Sequence, residues 1–132
     1  MKTFGLSKNE RIKLKKDFQK VYLEGQNLYS SNKKLKARYY IESSVNEFGI
    51  KAAFVVSKKA GNAVWRNRVK RILRASYRLN KLDLVELCNS KNKKLLVAFS
   101  PNNLIQKKNK NLNFNFVADD FANLLEQIKS KL

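Results

Sequence analysis

NAVWRNRVKRILRASYR, residues 62–78, sets apolar side chains at helical spacing within a nearly unbroken run of basic ones. Wound at about 100° per residue, Trp65, Val69, Ile72 and Leu73 fall on one arc, with the small Ser76 between them. Asn67, Lys70, Arg71, Arg74 and Arg78 crowd the opposite arc, and Arg66 and Arg68 flank the apolar stripe. Arg66/Lys70, Lys70/Arg74 and Arg74/Arg78 are like-charge i,i+4 pairs, each costing roughly 0.2–0.5 kcal/mol in an isolated helix. No Asp or Glu stands between Glu47 and Asp83 to relieve that repulsion. A helix built this way has its counter-charge on another molecule, and a nucleic-acid backbone is the natural candidate.

Outward from this helix the chain alternates element types. Asn62 is a good N-cap, and Lys58 to Gly61 turn the chain into the helix from an apolar strand at Ile50 to Ser57. Upstream, residues 34–42 (KLKARYYIE) alternate strictly, with Leu35, Ala37, Tyr39 and Ile41 on one face and Lys36, Arg38, Tyr40 and Glu42 on the other. The piece SSVNEFG between these strands reads as a loop. Ser7 with Glu10 makes a capping box for a first helix carrying Ile12, Leu14, Phe18, Val21 and Tyr22; its start falls there or as late as Leu14, and Gly25 closes it. Downstream, LDLVELCNSKNKK reads as a helical turn and a loop, and Leu95 to Ser100 as a third strand. Residues 102–115 form a polar connection. Asn113 or Asn115 caps a last helix with its stripe at Val117, Phe121, Leu124, Leu125, Ile128 and Leu132. The order helix–strand–strand–helix–strand–helix predicts a small α+β domain, and residues 1–132 read as a single nucleic-acid-binding domain.

Composition supports a polyanionic partner. Among 132 residues, 29 Lys+Arg face 10 Asp+Glu, for a formal charge of +19, and such a charge strains the compact state by self-repulsion. The chain has no histidine, which removes the commonest general base and transition-metal ligand. Asp17, Glu24, Asp119 and Asp120 read as solubilising or capping residues, so neither catalytic residues nor a protein-held metal is expected. Cys88 is the only cysteine and reads as a packing residue. With no signal-peptide core and no membrane-spanning run, a reducing, cytoplasmic location is expected.

The block VVSKKAGNAVWRNRVKRILRASY at 55–77, joined to DFQKVYLEG at 17–25, resembles the bacterial ribonuclease P protein component. The likeness is good over about residues 15–100 and rests on pattern for the last helix. It implies a ribonucleoprotein that removes the 5′ leader from precursor tRNA, with a large RNA as catalyst using bound Mg²⁺ and no cofactor on the protein alone. It implies an α–β sandwich with a left-handed β-α-β crossover around the arginine-rich helix, where the general rule expects a right-handed one.

The resemblance also places two contact sets. Catalytic-RNA binding falls to Lys58, Lys59, Arg66, Asn67, Arg68, Lys70, Arg71 and Arg74. Arginine forks suit phosphate oxygens, and Asn67 can address a sugar or base edge. Leader binding falls to Phe18 and Tyr22, with Lys36, Arg38, Val55 and one strand tyrosine. That tyrosine is Tyr39 or Tyr40; spacing back from Ser57 and the alternation both favour Tyr40. Phe18 and Tyr22 also fit a plain core stripe, and Trp65 reads as core. No protein partner and no membrane are expected. A ribosomal or other structural RNA-binding protein shares the charge but not the joined motif. A helix-turn-helix DNA binder needs a short helix before the basic one, where an apolar strand stands instead.

Overall fold

The computed structural model describes residues 11–12, 15–43 and 49–132. Its elements run α1 (Lys15–Glu24), β1 (Gln26–Tyr29), β2 (Leu35–Ser43), β3 (Gly49–Phe54), a 3-10 turn (Lys58–Ala60), α2 (Ala63–Ser90), β4 (Lys93–Pro101) and α3 (Phe114–Lys131). The expected order is present, with β1 added after the first helix. The strands form one sheet ordered β1-β2-β4-β3. β2 is antiparallel to both neighbours, whereas β3 and β4 run parallel and are joined through α2 as a β-α-β crossover.

β4 lies inside the sheet, and its Leu95 to Phe99 are all buried because both faces are covered. Leu95, Val97 and Phe99 meet Leu35, Ala37 and Tyr39 of β2 in the main core, beneath α2 and α3. Aromatic rings link the layers: Phe54, Tyr77 and Phe99 lie 5.8–5.9 Å apart, and Phe121 of α3 sits 4.7 Å from Phe99. Leu96 and Ala98 point the other way, into a smaller cluster with Ile12 and Val21 under α1.

Several sequence expectations need correction. Ile12 is not helical; its N–H donates to the Ala52 carbonyl at 3.1 Å, where Arg11 bridges the free edge of β3. Ser7, Glu10, Leu14 and residues 44–48 of the expected loop lie outside the described residues. α2 does not stop near Asn80 but runs to Ser90, because Tyr77, Lys81, Leu84 and Cys88 continue its buried stripe. The lysine stem at position 81 can pack like an aliphatic chain. Asp120 is neither a solubilising nor a capping residue. It is buried and accepts from the Ser30 hydroxyl, Asn32 and the Lys34 backbone, lashing the β1–β2 turn to α3. Burial opposes its charge, yet these bonds and the Lys34 ammonium hold its carboxyl below the usual range. Asp17, also read as solubilising, is buried in the first turn of α1. No helix among the described residues is long and apolar enough to cross a membrane.

Candidate nucleic-acid interface

The basic helix is prepared locally by its caps. Ser57 Oγ accepts from Lys59 N at 3.2 Å to start the 3-10 turn, and Asn62 Oδ1 accepts from Trp65 N at 2.9 Å to start α2. Trp65 is core, as expected, and donates its indole N–H to the Asn109 carbonyl. With that stripe facing the sheet, Asn67, Arg68 and Arg71 stand exposed, and Arg66, Lys70 and Arg74 are half-buried. Lys58 and Lys59 are exposed on the turn just before the helix.

This face is electrostatically unbalanced. Among the described residues, none of these arginines and lysines forms an ion pair with a carboxylate, and the enclosed Nε atoms of Arg66 and Arg78 have no acceptor. Partial burial, and then repulsion from Arg11, Arg78 and Arg71, depress the Arg74 guanidinium below its ordinary value. Arg11 is therefore part of the same field. Sequence reading missed it because Arg11 reaches Arg74 only through the bridge to β3. A guanidinium cluster without an internal counter-charge is poised for phosphate.

The leader set assembles on the other face of the sheet. Register places Lys36, Arg38 and Tyr40 of β2 opposite Ser100, Ala98 and Leu96 of β4, with Ala53 of β3 beyond Ala98. Phe18, Tyr40 and Ala53 pack around the cluster under α1, and half-buried Val55 shares the parity of Ala53. Phe18 and Tyr22 stack at 6.4 Å with their planes 7° apart. They divide the two readings of that pair between them: Phe18 is half-buried against the cluster, whereas Tyr22 is 47% exposed. Tyr39 is buried and Tyr40 half-buried, as the alternation requires.

Arg38 occupies a different position from the one a leader contact needs. Its Nε and one terminal nitrogen donate to the carbonyls of Val21 and Tyr22 at 2.8 Å, and the other terminal nitrogen donates to Asn27 Oδ1 at 3.0 Å. The side chain caps the C-terminal end of α1, where a cation is favoured. Lys20–Glu42 at 3.5 Å is a second tie between α1 and β2. Arg38 thus positions the aromatic helix, and Lys36 is the remaining cation of the expected leader set. Among the described residues no three His, Cys, Asp or Glu side chains converge to hold a metal.

Comparisons with known proteins bear on the family and the fold. The family model described as Ribonuclease P matches residues 6–129. The chain is 39% identical over 94 residues to the ribonuclease P protein component of Clostridium novyi, covering 67% of this chain and 80% of that protein. It is 31% identical over 129 residues to the protein of that name from Geotalea uraniireducens, covering 97% and 98%. In fold it is similar to the RNase P protein of Thermotoga maritima, with TM-score 0.65, 24% identity and coverage of 89% and 96%. The Staphylococcus aureus RNase P protein gives 0.63 and 23%, over 91% and 95%. With the motif block, the crossover around α2 and a family match over nearly its whole length, this chain belongs to the ribonuclease P protein family.

Proposed function

We infer that this chain is the protein subunit of ribonuclease P and assists an RNA catalyst in removing the 5′ leader of precursor tRNA. The observation that carries the reading is the pairing of two surfaces on one sheet. The basic face of α2, with no carboxylate partner among the described residues, lies on one side, and the aromatic side chains of α1 and β2 (Phe18, Tyr22 and Tyr40) lie on the other. The helix face, with Lys58 and Lys59, takes backbone phosphates of the RNA subunit. The aromatic face takes the leader: unpaired bases pack on Tyr22, Phe18 and Tyr40 whatever their sequence, at about 1–3 kcal/mol per stacked base, while Lys36 meets the backbone. Mg²⁺ belongs to the RNA, and the protein's cations supply part of the screening that packed phosphates need.

Reconstitution tests this. Added to a ribonuclease P RNA at low Mg²⁺, the chain should restore cleavage at the mature 5′ end and tighten binding of precursor tRNA over mature tRNA. The protein without RNA should not cut. Cleavage by the protein alone, or equal tightening of both tRNAs, overturns the assignment.

A further inference from the structure

Residues 102–113 join β4 to α3, and composition alone makes them a polar connector. In the structure they form a built loop. Leu104 and Leu112 are buried at its ends. Gln106 N donates to the Ala60 carbonyl and Gln106 Oε1 accepts from Asn62 N, both at 2.8 Å, while Asn109 holds the Trp65 indole through its carbonyl. The seat is close: a Cβ on Gly61 would lie 2.7 Å from the Trp65 ring and 2.8 Å from Gln106. The loop also closes on itself, with Asn109 N on the Ile105 carbonyl and Ile105 N on Asn109 Oδ1. It is thereby fixed to the turn that carries Lys58 and Lys59.

On its outer side is a hollow of about 420 Å³ lined by Lys107, Lys108, Lys110, Asn111 and Phe116, among others, with no acidic residue in the lining. Phe116 is 40% exposed. Lys34 lies over one ring face, its Nζ 4.1 Å from the centroid and also donating to the Phe116 carbonyl. A flat ring with a lysine over one face, lining a hollow of ligand size among further lysines, matches the chemistry of an unpaired nucleotide. The ring offers a stacking platform and the ammonium groups offer phosphate contacts.

We propose that this hollow holds an unpaired nucleotide of the RNA subunit, a third RNA contact separate from the α2 face and the leader face. This rests on the ribonuclease P reading. It assigns the nucleotide to the RNA subunit because the loop continues the basic surface of Lys58 and Lys59, whereas the leader face carries α1.

Two variants of the full chain test it, each titrated with ribonuclease P RNA across salt concentrations. Replacing Lys107, Lys108 and Lys110 together by Gln should flatten the salt dependence by about two to three units of log K per log[salt]. Phe116→Leu should weaken binding by about five- to 150-fold with the slope kept, the range expected for one lost stacked base. In both, the preference for precursor over mature tRNA should persist. If both variants bind the RNA with wild-type affinity and slope while the particle still cleaves, the proposal is wrong. Loss of precursor preference, with RNA-subunit affinity kept, also overturns it by giving the hollow to the leader. A wild-type chain that fails to stimulate cleavage at all sinks the ribonuclease P reading itself, and the proposal with it.

Discussion

The Arg38 guanidinium, projecting from β2, donates to the Val21 carbonyl in the last turn of α1 at 2.8 Å. A residue that the resemblance placed at the leader therefore works inward, holding the helix that carries Phe18 and Tyr22. Arg38→Met keeps the aliphatic stem and removes the bonds. It should cost about 1–3 kcal/mol in denaturant unfolding, the range for hydrogen bonds from a charged donor, because the Val21 carbonyl keeps the Gly25 N–H and the bonds to Tyr22 and Asn27 are exposed. It should also weaken precursor-tRNA preference with both rings intact. A full unit lost from the salt slope with an unchanged melting curve would instead make Arg38 a phosphate contact.

Arg74 is a place where stability and binding oppose each other. Its charge is held against partial burial and against Arg11, Arg78 and Arg71, so the charged form is disfavoured in the free fold. Arg74→Met should leave the melting temperature of the free protein unchanged or higher. Binding to the RNA subunit should weaken, with the salt slope shallower by about one unit. Arg71→Ala, on the exposed side, should show the same slope change without the gain in stability. Unaltered slopes in both variants would move the RNA surface elsewhere.

Tyr39 and Tyr40 are adjacent in sequence and separated by the sheet. Tyr39→Ala empties a core position and should cost roughly 3–5 kcal/mol of stability, in line with other large aromatic truncations. Tyr40→Ala removes a half-buried ring that packs beside α1, so a smaller loss of stability is expected. Precursor tRNA should bind about five- to 150-fold more weakly, with mature tRNA barely affected. Leader discrimination lost in the Tyr39 variant instead would overturn the assignment of the leader to the Tyr40 face.

Cys88 is fully buried, and burial pushes its thiol up to about 11. A folded value above the unfolded one means the neutral thiol is favoured inside. Its contribution to stability is complete below an unfolded value of about 8.5 and is lost as the pH climbs towards 11. A thiol reagent at pH 8 should therefore label the native protein only as fast as it unfolds, and denaturant should release full reactivity. Rapid labelling of the folded chain would contradict this burial.

Local patterns made much of the architecture legible. The alternation in 34–42 assigned Leu35 to Glu42 of β2 to their faces, and the basic helix, its Asn62 cap and the Trp65 anchor follow from spacing alone. Long-range partnerships were not legible. β1 is four residues with no apolar pattern of their own, held by Arg38–Asn27, Tyr39–Gln26 and a Gln127–Tyr29 bond across most of the chain. The continuation of α2 was obscured by a lysine at a core position. Gly25 ends α1 as expected but for a different reason. It lacks the positive φ of a usual helix-closing glycine and is needed because a Cβ would lie 2.3 Å from the Val21 carbonyl and 2.7 Å from that of Tyr39. Arg38 and Asp120 both looked like surface charges; each is claimed by a segment far away in the chain.

The insertion of β4 between β2 and β3 imposes a timetable on synthesis. β2 and β3 follow one another in the chain yet share no hydrogen-bonded edge. A nascent chain that has emerged only as far as α2 thus holds two strands with no partner to unite them. Leu35, Ala37, Ile50 and Ala52 lack the Leu95, Val97 and Phe99 side of their core until residues 93–101 arrive. Folding is expected to wait for residues 93–101, and a chain truncated before Lys93 should not fold at all.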